Sequence, residues 1–258
     1  MENTKQVVVV TGAGRGLGRA ISEEFLRSGA TVVLTGRDER ELDRTLAELS
    51  VGSDRAHRRR LDVTVEDEIK AVMDWVAKTF GRIDVLVNNA GITGPTAPLH
   101  QITRQQWEDV IAVNLTGAFL CAKWALPSMI ERREGCIINL ASVASRLAYK
   151  LRSPYASSKW AIIGLTKTLA AEVGPYNVRV NAICPGPVYG PRMQSVIERR
   201  AAELKQTASD IEAEYRQNTA LNRFVEPEHI AKLALFLASD AGKSTTGAAF
   251  DMTAGFHL

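Results

Sequence analysis

Four consecutive valines, Val7 to Val10, lead straight into Thr11-Gly-Ala-Gly-Arg-Gly-Leu-Gly18, and no other feature narrows the fold so far. An unbroken β-branched run marks a strand covered on both faces, which places Gln6 to Val10 inside a sheet with helices on either side. The helix that follows carries apolar Leu17, Ala20, Ile21 and Phe25 and closes at Gly29. Glycines between a strand and a helix N-terminus let the backbone approach a pyrophosphate, whose charge the helix end favours. The spacing of Gly12, Gly16 and Gly18 departs from the usual G-x-G-x-x-G, and packing alone is a second reason for glycine in such a turn.

The alternation of strand and helix continues. Thr31 to Thr35 reads as a second strand, followed by Gly36-Arg37-Asp38. An acidic residue at that point binds a ribose 2′-hydroxyl, whereas an arginine accommodates a 2′-phosphate. Gly36 ends the strand, Arg37 comes next and Arg15 stands in the glycine turn, so two guanidiniums can meet one phosphate. This favours NADP(H), with NAD(H) the alternative if Asp38 turns inward. Glu39 to Ser50 is a polar-faced helix. Arg55 to Leu61 is a strand whose three arginines, without interleaved aromatics, suit a charge-guarded edge better than a nucleic-acid patch. Asp62 ends this strand, where a carboxylate either accepts an adenine amino group or caps the helix from about Val65 to Phe80.

Ile83 to Val87 is a fourth strand, and Asn88-Asn-Ala-Gly91 follows at its carboxyl end, where ligands bind in such sheets. A helical region then runs from Thr103 to about Arg132. Asn114 interrupts its apolar face and must either kink the helix or hold an ordered water. Cys136 to Leu140 delivers Ser142. Ser153-Pro154 reads as a serine-capped helix start, which sets Tyr155 and Lys159 four apart on one helical face. A phenol titrates near ~10, and a neighbouring ammonium favours its anion, so such a pair suits proton exchange with a reacting oxygen. Strand Val178 to Ile183 leads to Pro185-Gly186-Pro187. Residues from about 188 to 222 are charged, helix-prone and poor in apolar side chains, which reads as a lid over a substrate site or as a static surface helix pair. Another helix from Pro227 through Leu237 and a strand from Thr246 to Met252 complete the pattern. The class is α/β, a single doubly wound domain over residues 1–258.

A net charge of +3 is too small to imply nucleic acid or an acidic membrane surface. Cys121, Cys136 and Cys184 lack metal-ligand spacing and read as buried reduced thiols, so no metal is expected. The N-terminal Met-Glu-Asn-Thr-Lys-Gln offers no signal peptide, and no apolar run looks long enough to cross a bilayer. The expectation is a cytoplasmic protein without membrane partners.

Thr11-Gly12-x-x-x-Gly16-x-Gly18, Asn88-Asn89-Ala90-Gly91, Asn114, Ser142, Tyr155-x-x-x-Lys159 and Pro185-Gly186 stand in this order across essentially the whole chain, which resembles the short-chain dehydrogenase/reductase family. The resemblance implies a Rossmann-like domain with a seven-stranded parallel sheet, a nicotinamide cofactor and a catalytic tetrad of Asn114, Ser142, Tyr155 and Lys159. It makes Tyr155 the general acid in ketone reduction and the general base in alcohol oxidation. Lys159 then eases the phenol's deprotonation and binds the nicotinamide ribose, Ser142 hydrogen-bonds the substrate oxygen, and Asn114 holds a water that links Lys159 to solvent. It sets Gly12, Gly16 and Gly18 against the pyrophosphate, Asp62 against the adenine and Asn88 against the adenosine ribose. Leu17, Val63, Ala90 and Gly91 complete that set, while Pro185, Gly186 and Val188 lie against the nicotinamide. The chain departs from the family at Gly190, where Thr or Ser is common, and at Ala254-Gly255, where Asp-Gly-Gly is common.

The resemblance implies an oxidoreductase that interconverts a secondary alcohol and a ketone with NADP(H). A 3-oxoacyl-thioester reductase shares every motif, and a catalytically inactive dinucleotide sensor is the non-enzymatic alternative. It also implies a homodimer or homotetramer packed through the long helices that precede Ser142 and carry Tyr155. In the family the position of Arg152 faces the substrate pocket. With Arg192 at the start of the lid, it could grip an anionic hydroxy or oxo acid, unless both arginines are solvated.

Overall fold

Seven parallel strands make one sheet in a computed structural model that describes residues 6–49 and 54–257. They are β1 (Val7–Thr11), β2 (Thr31–Gly36), β3 (Ala56–Arg60), β4 (Val85–Asn88), β5 (Gly135–Leu140), β6 (Val178–Pro185) and β7 (Ala249–Met252). Their spatial order is β3-β2-β1-β4-β5-β6-β7, so the winding reverses between β1 and β4. The carboxyl ends of those two strands therefore diverge into a crevice, the place where such sheets bind ligands.

The valine run shows why this sheet needs cover on both faces. Val8 and Val10 pack with α1 (Gly16–Arg27), α2 (Glu39–Glu48) and α9 (Pro227–Ala238), through Phe25, Leu42 and Ala234. Val7 and Val9 point the other way, into α3 (Glu66–Phe80), α5 (Gly117–Arg132) and α6 (Ser153–Val173), through Met73, Cys121 and Leu169. One strand thus feeds two cores, as its side-chain period of 2 requires.

β3 is the edge strand that its charge suggested. Arg58 pairs with Glu39 and Asp43, Arg60 pairs with Glu68, and the Arg59 guanidinium lies 3.7 Å from the centre of the Trp75 ring. Cys121, Cys136 and Cys184 are buried and free, and burial pushes the Cys121 thiol up to about 12. The N-terminal expectation and the last residue assigned to α2, Ser50, lie outside the described residues.

Three readings change, and one, the helical region from Thr103 to about Arg132, holds with a refinement. The helix expected from Thr103 is α4 (Arg104–Ile111) and α5 joined by a π turn, Ala112–Thr116, with Asn114 at its centre. The stretch Arg104–Arg132 is, contrary to the sequence reading, long and apolar enough by length and composition to cross a bilayer; 44% of its most apolar window is buried. A helix packed against a sheet gains an all-round apolar look from its inward face, and here further apolar residues remain outside. Ser153 does not cap α6: Arg152 holds the cap position with no side-chain bond, and the Ser153 hydroxyl is buried without a partner. The stretch after Val188 is not poor in apolar contacts. Its helices α7 (Pro191–Leu204) and α8 (Ala208–Gln217) share a small core of their own with Val143, Phe224 and Phe256.

Candidate active site

The carboxyl ends of β1, β4, β5 and β6 open into one cleft of about 1270 Å³. At its floor Gly18 and Gly16 have different reasons to be glycine. A Cβ on Gly18 would stand 2.3 Å from the Gly12 carbonyl oxygen and 2.5 Å from Asn89 Nδ2, so this residue is fixed by packing. Gly16 meets nothing within 4 Å but has φ +54, so its backbone faces open space in a left-handed conformation. Asn89 ties the turn to β4, donating from Nδ2 to the carbonyls of Thr11 at 2.8 Å and Gly12 at 3.0 Å. The exposed backbone at the start of α1, beside Arg15 and Leu17, fits a pyrophosphate.

Asn88 is the correction in this region. Its side chain points away from the cleft, donating to Asn139 Oδ1 at 2.9 Å and to the Ala118 carbonyl at 3.2 Å. Successive strand residues face opposite sides, so Asn88 falls to the α5 side and Asn89 takes the cleft side. Asn139 passes the chain on to Thr166 Oγ1 on α6 at 2.9 Å.

Further along, Arg37 lines the cleft, exposed, and none of the ion pairs among the described residues includes it. Arg15 is held by Glu41 at 3.1 Å. Asp38 does not turn inward: its carboxylate caps α2, accepting from Arg40 N at 2.9 Å and Glu41 N at 3.3 Å. Asp62 lines the cleft beside Val63 while accepting from Thr64 N and Oγ1. Burial pushes its carboxyl up, but the Thr64 bonds and the charge of Arg37 outweigh burial and leave it below the usual range.

The middle of the cleft brings Ser142, Tyr155 and Lys159 together, with Ala90 and Gly91 beside them. Ser142 follows β5 and accepts from Ala144 N at 3.1 Å, which leaves its hydroxyl proton free to donate. Lys159 Nζ donates to the Leu140 carbonyl at 2.6 Å and lies 5.8 Å from the centre of the Tyr155 ring. Burial, and then the charge of Arg192, push this ammonium down to about 7. Asn114 does not line the cleft. It accepts from Ile92 N at 2.8 Å and donates to Ile92 O at 3.0 Å and Ser158 Oγ at 3.1 Å. A Cβ on Gly91 would lie 3.2 Å from Asn114 Oδ1 and 3.8 Å from Lys159 Nζ, so these two groups flank one glycine.

Pro185, Gly186 and Val188 line the far wall, and a Cβ on Gly186 would stand 2.8 Å from Thr253 Cα. Gly190, at φ +136, offers no side-chain cap to α7. Arg152 is 4% exposed rather than solvated, and Arg192 is exposed with Nη2 on the Gly91 carbonyl at 2.6 Å. Sequence reasoning missed Asn89, whose signal was the paired asparagine itself. It also missed Arg199, Tyr149 and Tyr215, which line the cleft but look like ordinary residues of a charged helix pair and loop.

A family model described as short chain dehydrogenase matches residues 6–203. The 2-(S)-hydroxypropyl-CoM dehydrogenase 3 of Xanthobacter autotrophicus is 37% identical over 97% of this chain and 96% of its own length. A 3-oxoacyl-acyl-carrier-protein reductase of Thermotoga maritima is also 37% identical, over 98% of each chain. Among solved structures, an actinorhodin polyketide ketoreductase with NADPH superposes with TM-score 0.94 at 31% identity, covering 100% of this chain and 99% of its own. An NAD+-bound xylitol dehydrogenase gives TM-score 0.94 at 30% identity, covering 99% of this chain and 100% of its own.

Proposed function

The chain belongs to the short-chain dehydrogenase/reductase family, NAD(P)-dependent enzymes acting on CH–OH groups, and on that premise we propose that it interconverts a secondary alcohol and a ketone using NADP(H). The observation that carries the reading is the convergence of Ser142, Tyr155 and Lys159 on one wall of the cleft, with Asn114 behind them. When bound, the cofactor supplies or accepts the hydride. Ser142 donates a hydrogen bond from its hydroxyl to the substrate oxygen and holds it near Tyr155. Tyr155 gives up its proton to that oxygen in reduction and takes it back in oxidation. Lys159, when charged, sets a positive charge beside the phenolate. Both amide hydrogens of Asn114 and one lone pair of its oxygen are engaged, so a water between Lys159 and solvent would take the remaining lone pair or the backbone of the π turn, where the helix ladder is interrupted.

NADP(H) is favoured over NAD(H) because Arg37 enters no ion pair among the described residues and Asp38 is committed to capping α2. The 37% identity to a 3-oxoacyl reductase keeps an acyl thioester as a second substrate reading. Helices α7 and α8 act as a lid, since they pack mainly on each other over the mouth of the cleft. The active form is a homodimer or homotetramer, supported by exposed Trp107, Phe119 and Trp160 on α4, α5 and α6. A panel of alcohols, ketones and 3-oxoacyl thioesters, followed by nicotinamide absorbance with both cofactors, tests the reading. Tyr155→Phe should lower turnover by a factor of about 10²–10⁴ while cofactor affinity is largely kept. Activity near that of the unaltered protein would overturn the mechanism.

A further inference from the structure

Residues 91–94 form a stretch of loop that collects arginines. Arg192 Nη2 donates to Gly91 O at 2.6 Å, Arg152 Nη2 to Thr93 O at 2.8 Å, Arg199 Nη2 to Thr93 Oγ1 at 2.7 Å and Arg199 Nη1 to Gly94 O at 3.2 Å. Every one of these acceptors is neutral, so three guanidiniums are positioned and none is neutralised. No salt bridge among the described residues includes any of the three. The acidic residues lining the cleft, Asp38, Glu39, Glu41 and Asp62, all belong to its other end.

Arg152 is the most exacting of the three. It is 4% exposed, its Nε is buried without a partner, and its guanidinium lies 5.3 Å from the Tyr155 ring and 6.0 Å from the Tyr149 ring. A buried guanidinium with spare donors and no carboxylate is costly to maintain unless something else completes it. The rings beside it supply a favourable face but no countercharge. Tyr149 is a hydroxyl at the same place, hydrogen-bonded to Tyr215 at 3.1 Å, and burial and that neighbour push its phenol well above the usual range, so it stays a neutral donor.

We propose that Arg152 and Arg199, with Arg192 at the rim, bind the anionic group of the substrate, a carboxylate or sulfonate on a short hydroxy or oxo acid. The proposal rests on the oxidoreductase reading above and narrows its substrate class. The nearness of Arg152 to the Tyr155 ring places the anion only a few bonds from the carbon that is oxidised or reduced. The guanidinium fork then fixes the direction in which the substrate presents its oxygen to Tyr155.

The test uses the full chain saturated with NADP, which occupies the Arg37 end and removes it as an alternative anion site. Thermal shifts are read with butyrate, propanesulfonate and uncharged butyramide, at equal ionic strength set with sodium chloride. Butyrate and propanesulfonate should raise the melting temperature and butyramide should not. Arg152→Leu and Arg199→Gln should each remove that shift. In turnover, both variants should lose about 10–100-fold more kcat/KM for a short oxo acid than for its methyl ester. Arg199 is exposed, so Arg199→Gln carries the test if the buried Arg152→Leu does not fold. Equal shifts from butyrate and butyramide, or equal losses for acid and ester, would overturn the anion site. Failure of the unaltered protein to turn over any alcohol or ketone would instead overturn the oxidoreductase reading, and the thermal shifts would still decide on the anion site.

Discussion

Lys159 is buried, and its site works against the charge it carries. Its ordinary value of 10.5 is lowered to about 7, first by burial and then by Arg192. Between about pH 7 and pH 10.5 the unfolded chain therefore holds a proton here that the cofactor-free native protein does not. Stability rises with pH across that window, and below it the full penalty applies. Lys159→Met should consequently gain melting temperature relative to the parent as pH falls from about 10 toward 7, and the gain should level off below. The lost bond to the Leu140 carbonyl adds only a pH-independent offset. Melting curves of both cofactor-free proteins across this range check it, and a difference that does not vary with pH removes the buried-charge account. Arg37 gives a second prediction at this scale. Arg37→Ala should lower kcat/KM for NADP(H) about 10–100-fold more than for NAD(H), the effect of one charge-assisted contact. An unchanged ratio between the cofactors would show that the 2′-phosphate is read elsewhere. Tyr155 and Lys159 were legible because four-residue spacing after a proline start is a local signal. The burial of Arg152 was not, because it arises from packing against residues 91–94, far off in sequence.

At the scale of the element, the β1–α1 turn separates packing from conformation. Gly18→Ala drives a Cβ into the Gly12 carbonyl, a backbone atom that cannot swing aside. It should cost about 3 kcal/mol, the upper end for overpacking. Gly16→Ala meets no atom and should cost about 1 kcal/mol for the left-handed backbone alone. Urea unfolding of the two variants ranks them, and a Gly18→Ala midpoint no lower than that of Gly16→Ala contradicts the crowding. The motif spacing showed that glycines were needed but not why each was. The π turn was half legible for a similar reason. Asn114 announced a break in the apolar face, while its form depended on Ile92 and Ser158 as partners. Strand and helix order followed from the alternation of apolar runs and glycine or proline stops. Ser153 failed as a cap because the backbone enters α6 with Arg152 in the cap position.

At the scale of the whole molecule, the apolar residues left outside Arg104–Arg132 and α6 bear on assembly. Phe119 is 47% exposed and Trp160 51%. The double variant Phe119→Glu, Trp160→Glu should sediment as a monomer at micromolar concentration, where the parent sediments as a dimer or tetramer. A parent that is itself monomeric would rule out this use of the face. The separate core under α7 and α8 has a different consequence. Val196, Ile197, Ile211 and Tyr215 pack among themselves and not with the valines of β1, so changes in the two regions should be close to additive. Lineages of this protein are then free to repack the cover formed by α7 and α8 without renegotiating the valine core of the sheet beneath. Descendants would differ in the roof of the cleft while inheriting one floor.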